Sequence, residues 1–323
     1  MKFLVFNVGS ETIKYAIYEN EKNIMKKIIY SKKIEIIKEI LKKIKPDYII
    51  HRVVHGGEIE KECFTDKKII SEIENFSKFA PLHNPRQIET IKICQKYNNC
   101  KNIAVFDTSF FSAIPEKAKI YPIPLEISKK FKIKRYGFHG LSHESTAIKF
   151  PDKNIISCHL GSGCSICAIK KGKAIDISMG LTPLEGTMMV TRAGSIDPGI
   201  ILILIKKLGL KRTEEILNYK SGFYGLTGIE DLRKINNKKE EPKNKLAIDI
   251  FCYNVAKQIC AYQAPLGKID IVSFSGGIGE SNEFIIDKIC SYLPFNFKKE
   301  IIKTDEEKLM LEKAKKLIKN KKS

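Results

Sequence analysis

The stretch "IISCHLGSGCSICAIKKGKAI" at residues 155–175 decides the fold, because an earlier part of the chain can be laid over it without a gap. At an offset of 152 residues it matches "FLVFNVGSETIKYAIYENEKNI" at residues 3–24. Each copy predicts a strand, a tight Gly-Ser turn, a second strand with alternating apolar residues, and then a third strand. The identical pairs are Gly9 and Gly161, Ser10 and Ser162, Ala16 and Ala168, and Ile17 and Ile169.

The two Gly-Ser turns have the chemistry of anion sites. A turn of this kind directs several backbone N–H groups into one concavity, which suits phosphate. The second turn holds Gly161, Ser162 and Gly163, and His159 ends the strand that leads into it, where the first copy has Asn7. Two such turns facing each other across a cleft are expected to hold a polyphosphate. Two duplicated domains of this kind resemble the actin, sugar-kinase and heat-shock ATPase superfamily, which has a ribonuclease H-like fold.

Strand-like runs alternate with lysine-rich amphipathic helices along the whole chain, which predicts an α/β fold. We place one domain at residues 1–110, completed by a C-terminal helix in 304–323, and a second, nucleotide-binding domain at 111–303. The strand-like runs are "KFLVFNV" (2–8), "YIIHRVV" (48–54), "NIAVFDTS" (102–109), "NIISCHL" (154–160) and "DIVSFSG" (270–276).

A third glycine-rich segment lies near the end of the second domain. The apolar strand at 270–276 leads into Ser-Gly-Gly-Ile-Gly at residues 275–279, and a helix is expected to begin near Glu280. Glycines allow the backbone to approach a ribose or a flat ring closely. This segment is therefore a candidate adenosine site.

The net charge of +20 raises the question of nucleic acid as a partner. Only six of the 57 basic residues are arginine, and the lysines are spread along the chain. No motif of a known nucleic-acid-binding module is present. We therefore expect weak, salt-dependent adsorption to polyanions and no specific nucleic-acid partner.

Cysteine use and apolar runs predict an intracellular protein without a membrane span. The nine cysteines are scattered, and only Cys164 and Cys167 form C-x-x-C, so we interpret them as buried apolar residues and not as a redox or zinc site. The longest apolar run, "GIILILI" (199–205), has the length of a core helix. The start, "MKFLVFNVGS", lacks the apolar segment of a signal peptide, so we expect a cytoplasmic location.

The scarce histidines and half of the arginines concentrate in short clusters rich in Gly, Asn and Pro. Taken in order with the repeat, these clusters make the sequence similar to the acetate kinase family from Asn7 through Glu306. The clusters are "HRVVHGGE" (51–58), "APLHNPRQ" (80–87), "VFDTSFF" (105–111), "RYGFHGLSHE" (135–144) and "MGLTPLEGTMMVTRAGSIDPG" (179–199).

The resemblance implies reversible, Mg²⁺-dependent transfer of the γ-phosphate of ATP to acetate by direct in-line displacement. Acetate is ionised at neutral pH, because carboxyl pKa values lie near 4, so it needs no general base. It needs alignment and cancellation of charge repulsion, which arginines and hydrogen-bonding histidines supply. The implied catalytic residues are Arg52, Asp107, His139 and Arg192.

The resemblance also implies binding residues and partners. Substrates are acetate and ATP, Mg²⁺ is the metal with Mn²⁺ as a substitute, and the protein is expected to be a homodimer with no membrane partner. His83 and His143 are expected to orient neighbours or to be structural. The acyl site would comprise Arg52, Val54, Leu82, Phe138 and Pro183. The nucleotide site would comprise Lys14, His159, Gly161, Ser162, Gly163, Asp231, Leu232, Arg233, Gly277, Ile278, Gly279 and Ser281. The metal side would comprise Asn7 and Glu306, with Glu307 as an alternative.

Departures from the family pattern leave alternatives open. The chain is shorter than typical members, with losses between Thr12 and His51 and before Thr304. A propionate or butyrate kinase and a non-catalytic nucleotide sensor of the same superfamily remain alternatives, although the sensor would not need Arg52, His139 and Arg192 together. The atypical residues are Glu11, Phe111, Leu141, Ser162 and Ser281.

Overall fold

The computed structural model describes residues 1–9, 12–20, 22–31, 33–97 and 100–321, apart from the side chains of residues 232, 233 and 236. The chain divides into two compact units. Unit 1 comprises Met1–Ser112, Phe138–Leu141 and Asp305–Ser323, and unit 2 comprises Ala113–Gly137 and Ser142–Thr304.

The secondary structure follows the predicted alternation of strands and helices. The described strands are β1 (Lys2–Val8), β2 (Thr12–Glu19), β3 (Lys22–Tyr30), β4 (Tyr48–Val53), β5 (Cys63–Phe64), β6 (Lys101–Phe106), β7 (Asn154–Leu160), β8 (Cys164–Lys170), β9 (Lys173–Ile177), β10 (Ile271–Ser275) and β11 (Lys298–Ile301).

Helices fill most of the connections between strands, and single 3₁₀ turns lie at Ser77–Phe79 and Thr108–Phe111. The described helices are α1 (Ile36–Ile44), α2 (Lys67–Phe76), α3 (Asn84–Gln95), α4 (Glu116–Lys119), α5 (Leu125–Phe131), α6 (Gly140–Lys149), α7 (Pro198–Leu208), α8 (Leu210–Tyr219), α9 (Gly222–Thr227), α10 (Leu232–Asn237), α11 (Pro242–Ala261), α12 (Gln263–Leu266), α13 (Gly276–Ser281), α14 (Glu283–Cys290) and α15 (Glu306–Asn320).

Unit 1 is built on a six-stranded sheet in the order β3-β2-β1-β4-β6-β5. The central strands β1, β4 and β6 are parallel, whereas β2, β3 and β5 pair antiparallel. Side chains of β1 alternate between two cores, because successive residues of a strand point to opposite faces. Phe3 and Val5 pack with Met310 of α15, and Leu4 packs with Leu41 of α1. Helices therefore cover both faces of the sheet, which explains the continuous apolar run in β1.

Unit 2 repeats the same plan in a five-stranded sheet of order β11-β10-β7-β8-β9. Strands β7, β10 and β11 are parallel, and β8 and β9 form the antiparallel side. Strand β7 begins and ends 152 residues after β1. Register irregularities also recur in the two copies, beside Ile17 in one and beside Ile169 in the other. The predicted α/β fold with a duplicated unit is confirmed.

The glycine-rich segment after β10 differs from the prediction at its start. Helix α13 begins at Gly276, four residues before the expected Glu280. Gly276 has a φ of 76°, a backbone conformation that glycine adopts without strain. Because glycine is a poor helix former, the sequence did not indicate that the glycines themselves wind into the helix.

The apolar run at residues 199–205 also differs from the prediction. It forms α7, but no residue of this helix is buried, and the side chains of Leu202 and Ile203 are 68% and 62% exposed. The run is apolar on every side of the helix, so its composition does not indicate which side packs. Within the described part of the chain, no helix is long and apolar enough to cross a bilayer.

The C-x-x-C pair lies in β8, as predicted. Cys164 and Cys167 are fully buried, and burial raises the pKa of both thiols. All nine cysteines are free thiols. Neither the accessibility nor the acidity of this pair suits a redox site, because thiolates are the reactive form.

Candidate active site

The polar centre of unit 1 lies where three parallel strands end. Asn7 is near the end of β1, Arg52 is near the end of β4, and Asp107 directly follows β6. The carboxyl ends of parallel strands meet at one edge of a sheet, which is where α/β proteins place ligand-binding side chains. The structure brings these three predicted residues together in hydrogen-bonding contact.

Arg52 is clamped between two carboxylates. Its Nε and Nη2 both donate to Asp107 Oδ2, at 3.0 and 2.7 Å, and its Nη1 donates to Glu306 Oε2 at 2.8 Å. Burial opposes the charge of the guanidinium, but Asp107 and Glu306 outweigh it and raise the pKa of Arg52. The guanidinium is therefore a fixed cation whose planar fork is already oriented.

Asp107 is fully buried, and its carboxylate accepts hydrogen bonds from the backbone as well as from Arg52. Burial raises the pKa of its carboxyl, whereas Arg52 lowers it. Its second oxygen, Oδ1, accepts a hydrogen bond from the backbone N–H of Leu141 at 3.2 Å. A Cβ atom on Gly140 would overlap the carbonyl oxygen of Asp107, so residue 140 must be glycine for the backbone to approach this closely.

Asn7 links Arg52 to the start of α15. Its Oδ1 accepts from Arg52 Nη1 at 3.1 Å, and its Nδ2 donates to Glu306 Oε2 at 2.8 Å and to Glu307 Oε1 at 2.9 Å. Both of the alternative glutamates therefore contact Asn7, but Glu306 also contacts Arg52. Glu307 is buried and pairs instead with Lys26, whose Nζ lies 2.6 Å from Glu307 Oε2.

The residues proposed for the metal side have suitable donor chemistry. Asn7 Oδ1 and the Glu306 carboxylate are hard oxygen donors, which Mg²⁺ prefers, and this ion usually keeps water and phosphate as its other ligands. Among the described residues, no group of three or more His, Cys, Asp or Glu side chains could hold a metal ion. A site that depends on one or two protein oxygens and on substrate phosphate fits that pattern.

Of the four apolar residues predicted for the acyl pocket, three lie in unit 1. Val54 and Phe138 are buried, and Leu82 is partly exposed. The ring of His55 meets Phe138 edge-on, with ring centroids 5.8 Å apart. His139 follows Phe138 and has a φ of 56°, so the backbone turns sharply at that point before α6 begins.

The segment "APLHNPRQ" supports the first Gly-Ser turn, a role that the sequence did not indicate. Gln87 accepts from the backbone N–H of Val54 at 2.9 Å and donates to the carbonyl of Val8 at 3.0 Å. Arg86 donates to the carbonyl of Gly9 at 2.6 Å. Residues Ser10 and Glu11 of this turn lie outside the described residues. Lys14 stands opposite Asn7 in the β1–β2 register.

In unit 2, the second Gly-Ser turn lies beside the third glycine segment. The backbone N–H of Gly161 donates to the carbonyl of Gly163 at 3.0 Å, which closes the turn. A Cβ placed on Gly161 would lie 3.6 Å from His159 Nε2 and 3.8 Å from the backbone nitrogen of Gly277. The structure therefore brings His159 and two of the predicted nucleotide-binding segments together within unit 2.

The remaining residues of the predicted nucleotide site are placed as follows. Gly277 and Ser162 are exposed, whereas Ile278 and Gly279 are buried in α13. The hydroxyl of Ser281 donates to the carbonyl of Gly277 at 2.6 Å. Asp231 precedes α10, and the side chains of Leu232 and Arg233 lie outside the described residues.

Arg192 is held by the loop that carries the fourth acyl-pocket residue. Its Nη1 donates to the carbonyl of Pro183 at 2.7 Å. Burial lowers the pKa of this guanidinium, and Cys164 is the largest influence in the opposite direction. Among the residues that the structure describes, no carboxylate forms an ion pair with Arg192, so Arg192 differs from Arg52, whose charge two carboxylates compensate.

Comparison with known proteins decides the family. The sequence model of the family described as "Acetokinase family" matches residues 25–323 of the chain. The chain belongs to the acetokinase family. An acetate kinase of Campylobacter jejuni subsp. doylei is 38% identical over an alignment of 343 positions, which spans 91% of this chain and 87% of that protein. An acetate kinase of Caldicellulosiruptor saccharolyticus is 44% identical over 269 positions, which spans 77% of this chain and 66% of that protein.

Solved structures of related proteins agree with the fold. The acetate kinase of Porphyromonas gingivalis superposes with a TM-score of 0.86 at 29% identity, over 98% of this chain and 99% of that chain. A propionate kinase of Francisella tularensis superposes with a TM-score of 0.88 at 32% identity, over 97% and 98%. A ROK family protein of Streptococcus pneumoniae, at 13% identity and a TM-score of 0.51, shares the fold alone. The predicted actin-like architecture is confirmed.

Proposed function

We propose that this protein is an acetate kinase that transfers the γ-phosphate of ATP reversibly to acetate. A carboxylate oxygen of acetate forms a bond to the γ-phosphorus. The bond from that phosphorus to the oxygen bridging the β- and γ-phosphates breaks, and ADP leaves with its electron pair. The products are acetyl phosphate and ADP.

The proposal rests on one observation: hydrogen bonds to Asp107 and Glu306 hold the guanidinium of Arg52 in place. An ionised acceptor requires no general base, and its main barrier is repulsion between its charge and that of the phosphates. Arg52 is held in place before the substrate arrives, so its orientation requires little reorganisation during the reaction. The proposed roles are binding of the acetate carboxylate for Arg52, binding of the transferring phosphoryl group for Arg192, and hydrogen bonding to phosphoryl oxygens for His139.

Unit 2 supplies the proposed nucleotide contacts. Backbone N–H groups of the Gly161–Gly163 turn would bind the phosphates, and Gly277 and Ile278 would line the adenosine site. His159 lies beside both segments and would contact the phosphates through Nε2.

We propose that Asn7 and Glu306 hold Mg²⁺ together with phosphate oxygens and water, and that Mn²⁺ can replace it. When bound, the ion would neutralise phosphate charge. The oxygen-only donor set supports this assignment. Asp107 keeps Arg52 in position and neither binds the ion nor takes a proton from acetate in this proposal.

The direct test is formation of acetyl phosphate by the purified protein. Acetate, ATP and Mg²⁺ are supplied, and the product is trapped with hydroxylamine and measured as the hydroxamate. A panel with GTP and pyrophosphate in place of ATP identifies the phosphoryl donor. Absence of hydroxamate with every donor would overturn the proposal and favour a non-catalytic nucleotide sensor.

A propionate kinase is the second candidate, because a solved propionate kinase superposes on the chain as well as an acetate kinase does. An apolar pocket lined by Val54 and Phe138 distinguishes acids by volume, and one methylene changes binding by only about 1–3 kcal/mol. Comparison of kcat/KM for acetate, propionate and butyrate separates the two. A higher value for propionate than for acetate would reassign the substrate.

We also propose a cytoplasmic homodimer with no membrane partner and no specific nucleic-acid partner. The exposed apolar residues of α7 support self-association, because large exposed apolar patches are typical of protein interfaces. The net charge of +20 arises mainly from dispersed lysines, which favours weak, salt-dependent adsorption to polyanions.

A further inference from the structure

A buried chain of hydroxyl groups leads from His159 into the core of unit 2. His159 Nδ1 lies 2.9 Å from Ser142 Oγ on α6. Ser142 Oγ lies 3.0 Å from Ser275 Oγ at the end of β10. Ser275 Oγ lies 3.5 Å from the carbonyl oxygen of Cys158. Ser142 and Ser275 are both buried, so these groups depend on one another for hydrogen bonds.

All three hydrogen bonds of this chain can form together in one direction only, towards the carbonyl at its end. A carbonyl oxygen can only accept, so Ser275 donates to Cys158. With its proton used there, Ser275 accepts from Ser142, and Ser142 in turn accepts from His159. The imidazole must then carry its proton on Nδ1, because a nitrogen that faces an acceptor has to donate.

We infer that Ser142 and Ser275 hold neutral His159 with its proton on Nδ1, so that His159 contacts the nucleotide phosphates only as an imidazolium. In the neutral ring, Nε2 would present a lone pair to the phosphates. The Nε2 edge faces the glycine segments: a Cβ on Gly276 would lie 3.2 Å from His159 Cε1. Phosphate binding at this edge therefore takes up one proton. This inference rests on the proposed function for its biological meaning, but not for its geometry.

The neighbouring histidine, His143, stays neutral. His143 lies on α6 with its ring centroid 6.5 Å from that of His159. Its two nitrogens bond to Ser157 Oγ and Ser165 Oγ, at 2.9 and 2.8 Å. Burial lowers the pKa of His143 far below its usual value, and His159 lowers it further.

The other ionisable groups on the elements around His159 are Cys158 on β7, Cys164, Cys167 and Lys170 on β8, Glu280 on α13, and Glu144 and Lys149 on α6. On β7 and β8, burial raises the pKa of Cys158 and Cys164, so both remain neutral thiols. On α13, a carboxylate oxygen of Glu280 accepts from Thr304 at 3.4 Å. Arg192 lies close enough to Cys164 to lower the pKa of that thiol and contributes a positive charge on this side.

Nitrogen NMR of the imidazole ring provides the primary test. In ¹⁵N-histidine-labelled protein, the His159 signals are assigned by their loss in His159→Gln, and the tautomer is recorded at a pH where the ring is neutral. We expect the proton on Nδ1 in the unmodified chain. In Ser142→Ala and in Ser275→Ala the tautomer with the proton on Nε2 becomes populated. A proton on Nε2 in the unmodified chain would overturn the inference.

Ser165→Ala is the matched control, because it removes a buried serine hydroxyl that bonds to His143 rather than to His159. We expect it to leave the His159 nitrogen shifts unchanged. If Ser165→Ala changed them as strongly as Ser142→Ala does, the effect would be general loosening of the core and the inference would be wrong.

Calorimetry of ADP binding tests the functional consequence. Titrations in two buffers of different ionisation enthalpy give the number of protons taken up, which we expect to approach one at a pH where free His159 is neutral. Where binding takes up a proton, the Kd should rise with increasing pH by up to about tenfold per pH unit, and the rise should be shallower in Ser142→Ala. Failure to bind ADP would contradict the proposed function, whereas the NMR result stands independently of it. ADP binding without proton uptake would overturn the inference.

Discussion

Arg52 shows how one side chain can be buried, charged and ready for an anionic substrate. Its charge is compensated by Asp107 on one side and by Glu306 on the other. A guanidinium in this arrangement is planar and forked, so its orientation is fixed by three donors rather than by one. Lysine would supply a point charge and could not make the paired contacts with Asp107.

We therefore expect Arg52→Lys to lower kcat/KM for acetate by about 10²–10³-fold, a loss typical of removing a preorganised donor. Steady-state kinetics with acetate as the varied substrate measure it. Arg212→Lys is the matched control, since Arg212 is exposed and pairs only with Glu215 on the same helix. Activity of Arg52→Lys close to that of the control would remove Arg52 from the proposed site.

Lys26 has a role that no sequence pattern indicated. It lies on β3, more than 270 residues from its partners Asp305 and Glu307. Burial opposes its charge, but the two carboxylates raise the pKa of Lys26 above its usual value. Because the folded pKa is raised, this stabilisation is present throughout the neutral range and is lost only as the pH rises above the usual lysine pKa near 10.4.

Lys26→Met should leave the buried Glu307 carboxylate without its cation and lower the free energy of unfolding by about 1–3 kcal/mol, because the Lys26 side chain is 40% exposed and water can replace part of its contact. Urea denaturation at pH 7 measures the loss. Lys299→Met, which breaks an exposed pair with Asp287, should lower the free energy of unfolding by about 0–1 kcal/mol. Equal effects of the two substitutions would show that Glu307 does not depend on Lys26.

At the scale of the elements, the strands could be predicted from the sequence, because their side-chain pattern is local and periodic. The offset between "FLVFNV" and "IISCHL" placed β1 and β7, and alternation placed β2 and β8, because a strand's side-chain period is visible in the residues themselves. The start of α13 at Gly276 could not be predicted, since glycine favours many backbone conformations and tertiary packing selects one. The lack of burial on α7 could not be predicted either, because burial depends on partners distant in the chain.

The start of α6 depends on one close approach of backbone to backbone. A Cβ on Gly140 would overlap the carbonyl oxygen of Asp107, and neither backbone can shift without breaking the Leu141–Asp107 hydrogen bond. The candidate site was predictable here only as a motif, "GFHG". The contact that makes Gly140 necessary joins residues 33 positions apart, and no local pattern shows it.

Gly140→Ala should therefore disturb Asp107, and through it Arg52, and lower kcat by at least about tenfold. Circular dichroism and steady-state kinetics on the same preparation distinguish loss of fold from loss of activity. Gly228→Ala is the control, because its Cβ meets nothing within 4 Å and its cost is limited to the left-handed backbone conformation, about 1–2 kcal/mol. Full activity in Gly140→Ala would show that the backbone contact can relax.

For the whole molecule, each unit contains a buried histidine whose pKa is lowered by burial. Burial lowers the pKa of His51 in unit 1 to about 4, and burial also lowers the pKa of His143 in unit 2. The unfolded chain binds protons at these sites near pH 6.5, where the folded chain does not. Stability should therefore fall as the pH drops from about 6.5 towards 4, because protons then favour the unfolded state.

We expect the free energy of unfolding to fall by up to about 1.4 kcal/mol per pH unit for each of these histidines within that window. Urea denaturation at a series of pH values from 7.5 to 4.5, followed by circular dichroism, measures the slope. His51→Gln should reduce this slope by the contribution of about one proton, which is about 1.4 kcal/mol per pH unit. An identical slope in the two proteins would show that His51 is protonated in the folded state.

The exposed apolar face of α7 and the start of α8 gives the last prediction at this scale. Leu202, Ile203 and Leu210 are each at least 60% exposed in a single chain, and apolar burial stabilises by about 25 cal/mol per Å². If this face is the dimer interface, light scattering should give twice the chain mass of 36.8 kDa. The double substitution Leu202→Glu with Ile203→Glu should give monomers, because burying two carboxylates is unfavourable. Tyr30→Glu, at an 83% exposed apolar position in unit 1, is the control and should remain dimeric. A dimer that survives the double substitution would place the interface on another surface.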